Sequence, residues 1–340
     1  MPSLLLKPTP KGLYCPPGDF YLDPVKGEVD RAVITHGHAD HARAGHGKVL
    51  ATAATLDIMR ARYGENFAHQ TQTLKWGETV EINGVKVWFA PAGHILGSAQ
   101  AVIDYRGLRM VFTGDYKRRA DPTCRPFEIV PDAHILISEA TFGMPVFRHP
   151  DTVGEIEKLL TSLKRFPDQT HLVGAYSLGK AQRVIKHLRN AGYDAPIFTH
   201  GSLDKINDVY AAHGVELGRL EPATLENKRN LHDERFRGGV VVAPPSAFDG
   251  KWGQRFPDPI LAFCSGWMSV RQRAKQRGVE LPLIISDHAD WDELTSTIAE
   301  VAPEELWVTY GREDALVRWA ELNGQKARPL RLVGYDEAFS

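Results

Sequence analysis

Thr35-His36-Gly37-His38-Ala39-Asp40-His41 places three histidines and one carboxylate within six residues. Imidazole nitrogen and carboxylate oxygen are the donors that zinc and similar borderline ions prefer. His36 and His38 alternate, so in an extended turn both rings face one ion. Asp40 and His41 follow one step later, where the chain is expected to enter a helix, and face a second ion. Glycine at 37 and alanine at 39 leave the backbone uncrowded.

The motif follows a short apolar run, Arg31–Thr35, readable as a buried strand. The same arrangement recurs along the chain. Val85–Ala90 runs into Gly93-His94, Leu108–Thr113 into Gly114-Asp115, and His134–Ser138 into Glu139. Later, Leu281–Ser286 runs into Asp287-His288, and Leu306–Thr309 into Tyr310-Gly311. Strand ends are where a rigid sheet presents reactive side chains. Six such ends bearing His, Asp, Glu or Tyr point to one shared site, because histidine is not a favoured turn residue. His94 is then the third histidine on the first ion, and Asp115 is placed to bridge both. The expected metal ligands are therefore His36, His38, Asp40, His41, His94 and Asp115. Paired ions, about 3.5–4 Å apart in such sites, lower the pKa of a shared water and neutralise charge on phosphoryl oxygens.

Between these runs the pattern changes. His171–Tyr176 reads as a strand, Ser177-Leu178-Gly179-Lys180 as a turn, Ala181–Asn190 as an amphipathic helix and Pro196–Thr199 as another strand, which makes a βαβ unit. Gly239–Ala243 and Ile260–Cys264 are strand-like. Residues 169–282 are expected to form a second α/β domain, inserted between an N-terminal part, 1–168, and a C-terminal part, 283–340, of the first.

The composition is that of a globular protein: 340 residues, 43% hydrophobic, net charge −1. A uniformly basic surface is excluded, so a nucleic-acid partner requires locally concentrated positive charge. Two clusters qualify: Lys117-Arg118-Arg119, directly after Asp115, and Arg271, Arg273, Lys275 and Arg277, which share a face if that segment is extended. Trp252 and Trp267 are candidates for stacking on bases, with core packing favoured for Trp252. Three cysteines without a C-x-x-C pair, and no apolar run as long as a membrane span or a signal h-region, suggest a cytoplasmic protein.

H-x-H-x-D-H, then G-H, then G-D, each after an apolar strand, resembles the metallo-β-lactamase superfamily. Ala92-Gly93-His94-Ile95-Leu96-Gly97-Ser98-Ala99, Ser138-Glu139-Ala140-Thr141-Phe142 and Ser286-Asp287-His288-Ala289-Asp290 resemble its β-CASP branch, which cuts nucleic acids. Val33–Ala42, Gly174–Arg183 and Ser265-Gly266-Trp267-Met268 resemble the bacterial ligase-associated DNA exonucleases most closely. The resemblance implies an α/β fold: an αββα metallo-β-lactamase sandwich with an inserted α/β β-CASP domain. It implies two divalent metal ions, zinc or manganese, and a metal-dependent exodeoxyribonuclease that releases nucleotides with 5′-phosphates, working in DNA repair. DNA would be the partner, with a functional association with a DNA ligase and a helicase; a ribonuclease acting on RNA is the alternative. A small-molecule hydrolase and a non-catalytic subunit are disfavoured by the inserted domain and by the retained ligands.

Carried over residue by residue, the resemblance makes Asp23 the acid that orients a ligand histidine. Asp40, Asp115, His288 and Glu139 become the catalytic group, with Glu139 holding His288 against the scissile phosphate or leaving oxygen. Ser177, Lys180, Ser265 and Gly266 become phosphate-binding residues, the first two at a helix N-terminus. Tyr310 departs from the pattern, since many β-CASP ribonucleases carry a metal-ligating histidine there. Artemis-like DNA-cutting relatives lack it, so the departure leans toward DNA.

Overall fold

The computed structural model describes residues 5–224, 234–276 and 278–330. The chain divides into two compact units. One holds the described residues up to Arg148 together with those from His288 onward; the other runs from His149 to Asp287.

The first unit begins with a six-stranded sheet in sequential order: β1 (Lys7–Thr9), β2 (Gly12–Cys15), β3 (Phe20–Leu22), β4 (Arg31–Val33), β5 (His46–Ala51) and β6 (Ala68–Thr73), with α1 (Ala53–Tyr63) between the last two. A second sheet starts with β7 (Thr79–Ile82), β8 (Val85–Pro91), β9 (Ala99–Tyr105), β10 (Leu108–Phe112) and β11 (Ile135–Ala140).

The chain then forms the second unit. It contains α2 (Thr152–Arg165), β12 (His171–Gly174), α3 (Lys180–Asn190), β13 (Ile197–Thr199), α4 (Asp204–Ala212), β14 (Leu220–Pro222), β15 (Val240–Ala243), β16 (Ile260–Cys264), α5 (Arg271–Gln276) and β17 (Leu281–Leu283). Its six strands, ordered β14-β13-β15-β12-β16-β17, are all parallel. Val240, Val241, Val242 and Ala243 are buried throughout, as expected of a strand covered on both faces.

The chain returns to the first unit with α6 (Trp291–Val301), β18 (Glu305–Gly311), α7 (Glu313–Leu322) and β19 (Lys326–Pro329), completing a seven-stranded sheet ordered β19-β18-β11-β10-β9-β8-β7.

Period-two alternation explains why this unit is a sandwich. On β10 and β11, Met110, Phe112, Ile135 and Ile137 join Leu13, Phe20, Leu22, Val33 and Leu50 of the first sheet in one core. Val111 and Leu136, pointing the other way, pack with Leu294 and Ile298 of α6 and Leu316 and Ala320 of α7. On the outer face of the first sheet, Ala32, Val49 and Ala51 pack with Leu56 and Met59 of α1. The layers are helix, sheet, sheet, helix: the αββα sandwich that the resemblance implies, with an α/β unit inserted.

Two local expectations change. The segment after His38 forms no helix. It makes a single turn, His41 N and Ala42 N donating to His38 O at 3.1 and 2.7 Å, before β5. The second unit also extends beyond 169–282. Glu155 of α2 accepts from Ile284 N at 2.9 Å, and Ser162 meets His171 Nε2 at 2.8 Å, which ties α2 to this sheet. Leu281–Ser286 thus supplies β17 to the second unit rather than a strand to the first.

Candidate metal centre

The strands that precede His36, His94 and Asp115 belong to the first unit. β4 ends at Val33, and the chain turns through His36, His38 and His41. Gly37 is required there, because a Cβ at this position would lie 2.5 Å from Ile58 of α1. Asp115 follows β10 through Gly114, whose φ of 53° and approach to Thr35 leave no room for a side chain. His94 sits on the loop after β8, where Ser98 Oγ accepts from His94 N and Ile95 N at 3.1 and 3.2 Å.

These loops bring one oxygen among three imidazoles. Asp115 Oδ2 lies 3.4 Å from His36 Nε2, 3.4 Å from His41 Nε2 and 3.7 Å from His94 Nε2. His94 Nε2 is 2.9 Å from His38 Nδ1. Donors bound to one tetrahedral zinc ion at 2.0–2.1 Å stand about 3.3 Å apart, so the spacing suits a cation. His36, His38, His94 and Asp115 form one cluster with all donor atoms within 4.8 Å of one another; Asp23, His36 and His41 form a second, and Asp115, Glu139 and His288 a third. Asp40 lies at the edge. Its side chain is 62% exposed, with Oδ2 3.9 Å from His41 Nε2.

Hydrogen bonds select the tautomers. Thr35 Oγ1 donates to Asp23 Oδ2 at 2.5 Å, so its lone pair accepts Nδ1–H of His36 at 3.0 Å. That leaves His36 Nε2 as a buried atom without a hydrogen-bond partner among the described residues, facing Asp115. A divalent cation fits such an atom, which carries a lone pair and nothing to accept. His41 Nδ1 donates to Asp23 Oδ2 at 2.9 Å, which turns Nε2 toward Asp115. Asp23 is fully buried and also accepts from Thr35 N at 2.7 Å. In sequence Asp23 is hard to distinguish from an ordinary turn residue before proline, and this bonding gives it a role.

Electrostatics favour the ligating protonation states of His36, His94 and Asp115. Burial, reinforced by the neighbouring imidazoles, holds His36 and His94 well below the ordinary histidine range and so neutral, the ligating form. Burial opposes ionisation of Asp115, but His41, His288 and His94 around it hold its carboxyl below the usual range. Burial also opposes the charged form of His41; the carboxylates of Asp115, Asp40 and Asp23 outweigh it and raise the imidazole to about 10 when no cation is present.

Glu139, buried in β11, ties two loops together. Oε1 accepts from Tyr116 N at 2.7 Å, and Oε2 accepts from His288 Nδ1 at 2.9 Å. His288 is 20% exposed and its Nδ1 lies 4.0 Å from Asp115 Oδ2. With the proton of the neutral ring on Nδ1 toward Glu139, Nε2 carries the lone pair. Ala289 N donates to Tyr116 O, so the His288 loop is held by backbone as well.

Tyr310 lies at a bulge. Glu139 pairs with Thr309 and Ala140 with Gly311, which leaves Tyr310 between them at φ 58°. Its ring is buried, edge-on to His41 with centroids 5.0 Å apart.

Other expectations are corrected. Lys117-Arg118-Arg119 is committed to α6. Lys117 Nζ is 3.5 Å from Glu293, Arg118 makes two bonds of 2.8 Å to Glu300, and Arg119 donates to Asp290 at 2.7 Å. The segment from Arg271 is helical rather than extended, so Arg271 and Lys275, both exposed, share a face by i,i+4 spacing. The side chains of Arg273 and Arg277 lie outside the described residues.

In the second unit, Ser177 Oγ meets Ser202 Oγ at 3.2 Å. Ser265 caps the short 3-10 helix Gly266–Ser269 by accepting from Trp267 N at 3.3 Å. Lys180 is buried, 3.1 Å from Asp287 Oδ1, so its charge is already balanced. Trp252 packs against Phe256 with centroids 5.0 Å apart, and Trp267 is half-buried. Cys15, Cys124 and Cys264 form no disulfide, and among the described residues no helix is long and apolar enough to cross a membrane.

Comparison with known proteins agrees with this architecture. Residues 26–170 match the Metallo-beta-lactamase superfamily. The chain is 28% identical over 326 residues to a protein named "Probable DNA ligase" from Opitutus terrae, covering 91% of this chain and 30% of that protein. It is 26% identical over 233 residues to an RNase J-like protein of Methanocaldococcus jannaschii, covering 61% and 55%. With RNase aCSPSF2 of Saccharolobus solfataricus it shares 27% identity over 269 residues, covering 68% and 54%. The chain thus spans between 30% and 55% of the length of these relatives. A crystal structure of a protein of unknown function from Enterococcus faecalis V583 shares the fold, with a TM-score of 0.60 at 13% identity over 89% of this chain and 79% of that one.

Proposed function

We propose that this metallo-β-lactamase-fold nuclease is a metal-dependent DNA exonuclease acting in repair, with His36, His38, Asp40, His41, His94 and Asp115 holding two divalent ions, zinc or manganese. The observation that carries the reading is the position of Asp115 Oδ2 among three imidazole nitrogens, one of them orphaned, beside a histidine that Glu139 holds by Nδ1. Bound divalent ions supply hydroxide at neutral pH and neutralise charge on phosphoryl oxygens.

The residues of this chain do the rest. Asp23 and Thr35 fix which ring nitrogens of His41 and His36 face the ions. Glu139 keeps the proton of His288 on Nδ1, so Nε2 contacts the scissile phosphate or, when protonated, donates to the leaving oxygen. Ser177, Ser265 and Gly266 remain proposed phosphate contacts.

DNA is preferred to RNA for two reasons. A protein named for DNA ligation contains a stretch similar to nearly all of this chain, which also supports a functional association with ligation. Tyr310 replaces the histidine that many β-CASP ribonucleases carry. The alternative, a ribonuclease, is favoured by the names of the RNase J-like and aCSPSF2 relatives. Digestion of end-labelled DNA and RNA of matched sequence, with zinc, manganese or magnesium supplied separately, tests the choice. Stepwise shortening of DNA from an end is expected; preferential loss of RNA would establish the alternative.

A further inference from the structure

With the cluster at 117–119 committed to carboxylates, positive charge close to the ligand turn has to come from other residues of the first unit. Basic side chains near the ligand turn divide by partner. Arg60 is paired with Asp57 and Glu65. Arg43 and Arg62 are exposed, and neither meets a carboxylate among the described residues.

Their positions are defined by the end of α1. Arg62 Nη1 donates to Gly37 O at 2.7 Å, the carbonyl between His36 and His38. Tyr63 Oη donates to Ala42 O at 2.8 Å, and Arg43 is the next residue. The end of α1 therefore straps both ends of the turn carrying His38, Asp40 and His41. Tyr63 is 37% exposed, its ring is pinned by its hydroxyl, and Arg62 Cζ lies 5.4 Å from the ring centroid. A guanidinium has five N–H groups, of which Gly37 takes one, so Arg62 retains donors for phosphate oxygens. A fixed, exposed aromatic ring gives a base a surface to stack on.

We propose that Arg43, Arg62 and Tyr63 form a ledge that binds the sugar–phosphate backbone of a single-stranded nucleic acid beside the ligand turn. The proposal rests on the nuclease reading above and adds a substrate-binding surface to it. Its charge helps a chain of net charge −1 engage a polyanion: two arginines without a carboxylate partner among the described residues sit at the ligand turn, while Arg60, Lys117, Arg118 and Arg119 are paired with carboxylates.

The test compares an oligonucleotide with bis(p-nitrophenyl) phosphate, a diester too small to reach the ledge, using wild type, Arg43→Gln, Arg62→Gln and the double variant, each with the same metal. For the double variant, the ratio of oligonucleotide to small-diester kcat/KM is expected to fall about tenfold. The salt dependence of oligonucleotide kcat/KM should flatten by about 0.7 in log–log slope for each phosphate that an arginine no longer neutralises. Arg43, unlike Arg62, makes no side-chain hydrogen bond to the turn among the described residues, so Arg43→Gln separates phosphate binding from bracing of the loop. An unaltered ratio and slope overturn the ledge while leaving the nuclease reading in place; parallel loss on both substrates does the same, and reduces Arg62 to a brace. Wild-type protein that hydrolyses the diester but neither binds nor shortens oligonucleotides overturns the nuclease reading and the ledge together.

Discussion

Replacing Asp23 by asparagine probes the site without emptying it. The residue sits at φ 39°, a conformation that asparagine tolerates as readily as aspartate. The carboxylate accepts three hydrogen bonds: Thr35 N on Oδ1, and Thr35 Oγ1 and His41 Nδ1 on Oδ2. If the amide keeps its oxygen toward Thr35 N, its NH2 faces His41 Nδ1. That nitrogen must then accept, so the proton of a neutral His41 moves to Nε2, the atom 3.4 Å from Asp115 Oδ2. The nitrogen that should ligate is blocked. Removing the group that orients a ligand histidine typically weakens metal binding about 10–100-fold, which corresponds to about 1.4–2.7 kcal/mol. Thr35 Oγ1, which holds His36, loses its acceptor on Oδ2 as well, so the binding step that His41 serves should weaken most. Metal titration by calorimetry, and of cleavage, reads this directly. Two binding steps of wild-type affinity in Asp23→Asn would refute the tautomer argument.

His288→Ala should retain its metal but lose about 10²–10⁴-fold in turnover, the usual worth of a positioned proton donor; an unaltered cleavage rate would make His288 structural. Tyr310→His places an imidazole at a bulge beside His41 and should lower the metal concentration for half-activation, whereas an unaltered titration would mean the ring merely packs there. His46 is a pH probe remote from catalysis. Burial depresses its pKa, Nδ1 accepts from Val29 N at 3.4 Å, and Nε2 has no hydrogen-bond partner among the described residues. Because its folded pKa lies below the unfolded value of about 6.5, the unfolded chain takes up the proton first, and stability falls as pH drops below that value. His46→Asn, which keeps an acceptor and does not titrate, should show a smaller Tm difference between pH 7.5 and 5.5 than wild type; equal differences would acquit His46.

The candidate ligand motif is legible in sequence because four donor side chains fall within six residues, and the sandwich because Met110, Val111 and Phe112 alternate between two cores. What escapes sequence reading depends on distant partners or on competition between periods. Lys117, Arg118 and Arg119 resemble a phosphate-binding rim until Asp290, Glu293 and Glu300 arrive from about 170 residues away. Arg271 to Gln276 alternates in charge as a strand would, yet folds as a helix. The bulge that re-aims Tyr310 leaves no mark in composition. Arg62 stands apart from Arg43 in sequence and reaches the turn that Arg43 follows only because α1 folds back on it.

A two-ion hydrolytic centre is tested most directly by metal content measured together with activity. Purified wild-type protein should bind two divalent ions per chain, and His36→Ala and Asp115→Ala should lose metal and cleavage together. Either variant retaining full metal occupancy with activity intact would contradict the assignment.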